Sequence, residues 1–421
     1  MKQVVFAGAG PHVFFFAGNL QDDGKLHARV WAPTLCIEED PATGAACAAL
    51  VGAMASKQDS CGTAYRLSNQ QGVSMGRRSE IKMQTLIVGV GALGGTIAAR
   101  AVRAGLPVRL AARNADSAAA LRRSGLRVTG TGGEVRTDAV DVAAVEDYKK
   151  GSQFDLIVLA TKAQDALEVA PHVLGLLGPG GVILPIQNGG VARVLADSLG
   201  EDKILGGFSN LGATMVEPGV YEQKNAGHLV IGELAGGVSE RVERVAHALG
   251  RAIEVKVSSN MTGAIWSKLL INCSVTTIGA ICSQTMRQYM ETKAGKKVFR
   301  RTYEEALSVA LATGTRPERL AVDPIPPGWA SSVAVEERYE SWVEAMIAFY
   351  GDVKPSMLQD FERGRKTEID FINGYVVTLG HASGVPVDMN TRITGLVRQI
   401  ERGDLQPTPD RMNDLAAQTA D

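Results

Sequence analysis

The sequence predicts an α/β protein: a Rossmann-type doubly wound parallel sheet, then an all-helical C-terminal domain, with a small partial α+β segment in front. Three observations predict it. A glycine-rich turn follows a short apolar strand in "KMQTLIVGVGALGG", which begins at Lys82. Short Val/Ile/Leu runs then alternate with helical stretches, as in strands covered on both faces. From Asn260 onward such runs cease and apolar residues recur at helical spacing. The implied divisions are 1–82, 83–257 and 258–421.

A chain of 421 residues suits two or three domains, and 45% hydrophobic with 21% charged residues suits a buried core. The net charge is −1 and no basic tract is present, which gives nucleic-acid binding little electrostatic support. The five cysteines (Cys36, Cys47, Cys61, Cys273, Cys282) form no C-x-x-C pair. That argues against a disulfide framework or a metal site and fits a reducing cytoplasm. The opening "MKQVVFAGAGPHVFFFAGN" has its apolar run broken by Gly10, Pro11 and His12, unlike a signal peptide. No apolar run is expected to be long enough to span a membrane.

In the leading segment, "HVFFFAGN" and "HARVWAP" read as strands. "EEDPATGAACAALVGAM" reads as a turn opening an alanine-rich helix, and "LSNQQGVSMGRRSEI" as a short strand between glycine turns. These residues resemble the C-terminal end of the phenazine-biosynthesis-type isomerase/epimerase family. The resemblance rests on Glu39-Asp40-Pro41-Ala42-Thr43-Gly44-Ala45-Ala46 and Gln71-Gly72-Val73-Ser74-Met75-Gly76-Arg77-Arg78-Ser79. Ala45 stands where that family has serine, and Arg78 where it has proline. The family's acid–base glutamate lies in a first half that is absent here. A helix start at Asp40–Gly44 could bind an anion, yet a proton-moving group would lack a partner. The resemblance therefore implies a non-catalytic fragment, with a scaffold or isomerase-like role as the alternative.

Gly89, Gly91 and Gly94 carry the dinucleotide fingerprint spacing between the strand "TLIV" and an alanine-rich helix. The first allows the tight turn, the second lets backbone approach a pyrophosphate, and the third lets helix pack on strand. The second strand, "PVRLAAR", ends at Arg113, where an NAD site would carry Asp or Glu. An arginine there suits the 2′-phosphate of NADPH. Further βα units follow in "FDLIVLATKAQDALEVAPHVLGLL", "GVILPIQNGGVARVLADSL" and "KILGGFSNLGA", and "ATMVEPGVYEQ" and "GHLVIGEL" read as antiparallel strands closing near residue 257. Lys162 and Asn188-Gly189 fall after strand C-termini, where ligands bind in such folds. Taken alone, they read equally as turn residues.

In "MTGAIWSKLLINCSVTTIGAI", Ile265, Leu269 and Cys273 form one stripe. Lys268 and Asn272 lie one turn apart on a neighbouring face. Alone, Lys268 reads as a snorkelling lysine. Later, Ser356-x-x-Gln359 reads as a capping box, Gly364 as a break, and Thr367-x-x-Asp370 as a weaker cap. Two helix starts facing one pocket would suit a carboxylate, although Ser356 and Glu368 could equally serve the helices alone.

Residues 83 to about 405 resemble the ketopantoate reductase family. The motifs are Gly89-Val90-Gly91-Ala92-Leu93-Gly94, Thr161-Lys162-Ala163, Gln187-Asn188-Gly189, Trp266-Ser267-Lys268-Leu269-Leu270-Ile271-Asn272, Ser356-Met357-Leu358-Gln359-Asp360 and Lys366-Thr367-Glu368-Ile369-Asp370-Phe371-Ile372-Asn373-Gly374. The resemblance implies NADPH-dependent reduction of a 2-oxo acid. On it, Lys268 matches the general acid, and Asn272 and Ser356 match substrate-binding groups. Lys162, Asn188 and Glu368 match residues at the cofactor or its junction with substrate, and Ala213 a further cofactor contact. Thr276 replaces a substrate-holding asparagine but can still donate a bond. A second such asparagine falls near Met286, and the connection around Pro324, Pro326 and Pro327 is long. The implied partner is a small 2-oxo acid, with no nucleic acid or membrane; a homodimer is left open.

Overall fold

The computed structural model describes residues 83–149, 151–327 and 336–417, with side chains except at 336 and 337, and five backbone strands before residue 71. The chain forms two compact units, Met1–Lys82 and Met83–Asp421.

In the first unit, β1 (Gln3–Ala9), β2 (His12–Asn19), β3 (Lys25–Ala32) and β4 (Ile37–Asp40) pair antiparallel in that order. β5 (Ser68–Gln70) adds parallel to β3. β2 and β3 fall on the two strands the sequence predicts. The opening apolar run is also a strand, and Glu38–Asp40 end a strand rather than begin a turn. The expected helix after Pro41, the Gln71–Ser79 motif and Cys36, Cys47 and Cys61 lie outside the described residues.

In the second unit, β6 (Thr85–Val88) is central, with all four residues buried. β7 (Val108–Ala112) and β10 (Val142–Ala144) lie on one side of it, β11 (Phe154–Leu159) and β12 (Leu177–Pro185) on the other, all parallel. The strand order reverses between β6 and β11, and a ligand crevice opens at such a switch point. Helices α1 (Ala92–Arg103), α2 (Ala115–Ser124), α3 (Ala163–Leu174) and α4 (Val191–Leu199) cover this sheet. "KILGGFSNLGA" does not continue the parallel series: β13 (Gly206–Ser209) pairs antiparallel with β16 (Leu229–Gly232), leaving only an isolated bridge from Ile183 to Ile204. "ATMVEPGVYEQ" folds on itself as a hairpin of β14 (Ala213–Glu217) and β15 (Val220–Gln223) instead of pairing with "GHLVIGEL", and β15 joins β8 (Leu126–Gly130) and β9 (Val135–Thr137) in a separate sheet. α5 (Glu240–Leu249) and β17 (Val255–Val257) complete this half.

The helical half begins with α6 (Met261–Ile271), capped by the Asn260 side chain, which accepts from Gly263 N–H. One π-helical turn, Asn272–Thr276, joins it to α7 (Thr277–Cys282). This 22-residue rod has the length and apolar character of a membrane span, contrary to the expectation above, but it is mostly buried as the core helix. Ile265, Leu269 and Cys273 are all buried as the stripe implies, Leu269 and Cys273 in the helical core and Ile265 against the sheet. Around it lie α8 (Met286–Met290), α9 (Lys293–Ala312), α10 (Glu336–Tyr350), α11 (Ser356–Glu362), α12 (Asn373–Ser383), α13 (Asp388–Glu401) and α14 (Arg411–Ala416). Glu305 of α9 accepts from Met389 and Asn390 N–H, which fixes the start of α13. Asn390 in turn accepts from Asn373, whose amide also reaches Cys273 C=O at 3.4 Å beside the π turn.

Candidate active site

A cleft of about 2300 Å³ opens at the sheet's switch point, between the nucleotide-type half and the helices. At one end lies the glycine turn. Gly89 has φ +93°, and a Cβ on Gly94 would stand 1.9 Å from Gly89 O, so the turn closes only on glycine. A Cβ on Gly91 would meet nothing within 4 Å. Gly91 caps α1 without a side chain, and no acid sits in the first turn. Free N–H groups at a long helix N-terminus suit a pyrophosphate. Val90, Ala92 and Leu93 also line the cleft. Tyr221, not anticipated from the sequence, steadies this turn by donating to Val90 C=O at 3.1 Å.

Arg113 lies at the cleft wall with its side chain 77% exposed and one pairing to Asp165 at 3.2 Å. Such an exposed pair is weak, so the guanidinium is free to turn to a phosphate. The residues present therefore fit a dinucleotide. Asn188 and Ala213 line the same cleft. The buried Gln187 amide, also unanticipated, donates to Leu159 and Thr161 C=O at 3.0 Å and ties two strand ends together.

The two halves are stitched at the start of α3. Lys162 donates to Asp360 at 2.8 Å. The Glu368 carboxylate accepts from Ala163 N–H at 3.0 Å, a favourable place for negative charge. Burial pushes the Glu368 carboxyl above its ordinary value, while Lys162 and the Ala163 N–H pull it back.

Lys268 enters from α6. Its ammonium donates to Ser209 C=O and, at 3.1 Å, to Asn210 Oδ1, and sits 4.9 Å from the Phe208 ring centroid. An ammonium has three N–H donors; two protein acceptors leave one for a ligand. Burial lowers its pKa to about 8, against the raising influence of Glu368. One turn on, Asn272 is 7% exposed and its Nδ2 has no partner. An unpaired buried donor costs roughly 1–3 kcal/mol, which a ligand oxygen would relieve. The π turn begins at this residue, and such turns cluster at functional sites.

Three sequence expectations change here. Ser356 does not cap: Pro355 holds the N-cap position, and Ser356 is the exposed first residue of α11, on the cleft wall. A proline, with no N–H to satisfy, suits the chain just outside a helix. Thr367 and Asp370 form no capping pair. Thr367 Oγ1 accepts from Ile369 N–H at 3.2 Å, and Asp370 pairs with Arg398. Thr276 lines the cleft, but its hydroxyl donates to Asn272 C=O at 3.0 Å, leaving only lone pairs for a ligand. Gly364 does break the chain as expected, at φ +58°, and Glu368 reaches the cleft beyond it.

The ketopantoate reductase PanE/ApbA model matches residues 85–236, and its C-terminal counterpart matches 260–401. The 2-dehydropantoate 2-reductase of Pyrococcus abyssi is 30% identical over 321 residues, spanning 75% of this chain and 97% of the relative. This chain belongs to the ketopantoate reductase family. It is an oxidoreductase. A PanE/ApbA family ketopantoate reductase structure from Ralstonia eutropha JMP134 superposes with a TM-score of 0.63 at 26% identity, covering 76% of this chain and 99% of that one. D-mandelate dehydrogenase, solved with NADH and anilino(oxo)acetate, shares the fold at a TM-score of 0.65 and 22% identity, over 76% of this chain and 100% of that one. The phenazine biosynthesis-like protein model matches residues 8–93, in line with the resemblance of the leading segment.

Proposed function

We propose that this protein reduces 2-dehydropantoate to pantoate with NADPH, a step of pantothenate biosynthesis, in the cytoplasm. One observation carries the reading: a partly buried lysine with an unfilled N–H and an unpaired buried amide share a cleft with a glycine turn built for pyrophosphate. The free buried thiols of Cys273 and Cys282 accord with a reducing compartment. In this reading 83–257 hold the dinucleotide, 258–421 hold the substrate, and 1–82 take no part in catalysis.

When bound, the dinucleotide supplies hydride to the carbonyl carbon. Negative charge then develops on the carbonyl oxygen, and the third Lys268 N–H stabilises it and delivers its proton there. Burial makes that proton easier to give than a surface lysine's. Asn272 Nδ2 and Ser356 bind and orient the 2-oxo acid. Glu368 holds the junction by accepting from Ala163 N–H while its charge keeps Lys268 protonated. Lys162, steadied by Asp360, Asn188 and Ala213 line the cofactor end, and Arg113 selects the 2′-phosphate.

Arg113→Ala tests that selection: KM for NADPH should rise about tenfold, the weight of one charge-assisted contact, with KM for NADH unmoved. Equal changes for both would remove Arg113 from the reading. A second substrate reading has a specific basis. Thr276 spends its hydroxyl on Asn272, and Met286 is buried in the core, so amide donors expected at the substrate end are missing. A panel of 2-oxo acids followed by NADPH absorbance decides: 2-dehydropantoate should give the highest kcat/KM. Turnover confined to other ketones would transfer the assignment to a sister reductase.

A further inference from the structure

Behind Lys268 runs a short hydrogen-bond chain. Lys268 Nζ donates to Asn210 Oδ1 at 3.1 Å, and Asn210 Nδ2 lies 3.2 Å from His228 Nε2. An ammonium only donates, so the Asn210 amide must turn its oxygen to Lys268 and its NH₂ to the imidazole. His228 Nε2 must then be a bare acceptor, and the ring proton must sit on Nδ1. A protonated imidazole would present N–H to N–H and break the chain.

The backbone around this chain is fixed independently of the Asn210 and His228 side chains. Asn210 N–H donates to His228 C=O at 2.8 Å, and Asn225 Nδ2 donates to Asn210 C=O at 3.1 Å. Gly227 permits the approach, since a Cβ there would stand 2.2 Å from Asn210 O. Burial lowers the His228 pKa below its ordinary value. Lys256 and Lys268 push the same way, and Glu254 opposes them.

We propose that neutral His228 is a positioning residue, which acts through the Asn210 amide to hold the Lys268 ammonium at its station in the cleft. The inference rests on Lys268 being the proton donor to the ketone. His228 lines the cleft, but its part is to orient Asn210 rather than to touch the reacting atoms.

The test is the pH profile of kcat and KM for the full chain, its His228→Gln and His228→Phe variants, and Lys268→Ala. Glutamine offers an acceptor oxygen that does not titrate; phenylalanine offers none. H228F should lower kcat by about tenfold or more, up to the roughly 100-fold cost of a catalytic group misplaced by about 1 Å, with KM for the ketone unchanged. H228Q should recover most of that loss and abolish the wild-type fall of kcat at acid pH. An acid limb that survives in H228Q, or a wild-type kcat in H228F, overturns the proposal while leaving the reductase reading intact. Lys268→Ala as active as wild type removes the donor and this proposal with it. Should H228F fail to fold, the ¹⁵N imidazole spectrum of the unaltered protein still decides, with H228Q assigning the signal. The Nδ1–H tautomer is expected, and an Nε2–H tautomer overturns the proposal.

Discussion

In the proposed reaction Lys268 sets the pH behaviour. Its amine must be protonated to act, and its pKa is lowered to about 8. Turnover should therefore fall as pH rises through about 8, not near the ordinary lysine value. Glu368 raises that pKa by its charge, so Glu368→Gln should move the alkaline limb of kcat to lower pH. A shift upward would contradict the electrostatics. The spacing of Lys268 and Asn272 was readable because residues four apart share a helical face. Asn210 and Tyr221 were not readable. Asn210 lies 58 residues from Lys268 and Tyr221 lies 131 from Val90, and only tertiary folding brings each pair together. The bond from the Thr276 hydroxyl to Asn272 C=O was not anticipated, although a helical threonine commonly bonds the carbonyl four residues back.

At the scale of elements, the glycine turn is the most demanding feature. Helical glycine to alanine normally gains up to about 1 kcal/mol. At Gly94 the new Cβ would stand 1.9 Å from Gly89 O, and overpacking of that kind costs about 3 kcal/mol. The clash wins, so Gly94→Ala should lower the melting temperature and weaken NADPH binding together; an unchanged melt would show that the turn can relax. The turn was legible because its glycines answer to local geometry. The partner of β13 was not, since an apolar run names no neighbour and either strand direction satisfies it. Nor was the π turn, whose residues read simply as continued helix.

At the scale of the molecule, the Met83–Asp421 unit is compact by itself, and the Pyrococcus abyssi relative is covered over 97% of its length by a match to 75% of this chain. A chain starting at Met83 should retain kcat, KM and melting temperature. A large loss of activity would give the leading unit a part in the reaction. The parallel α/β half and the helical half were legible from the change of period near Asn260, and the order of motifs implied the family. Their stitching was not, because the Lys162–Asp360 and Ala163–Glu368 contacts join residues 198 and 205 positions apart.

The account stands on proton delivery by Lys268 to a 2-oxo acid. Single-turnover oxidation of bound NADPH by 2-dehydropantoate, compared between the wild type and Lys268→Ala, tests it most directly. The variant should bind NADPH normally and react roughly 100-fold or more slowly, the usual cost of a lost general acid. A variant that reacts at nearly the wild-type rate would contradict the account.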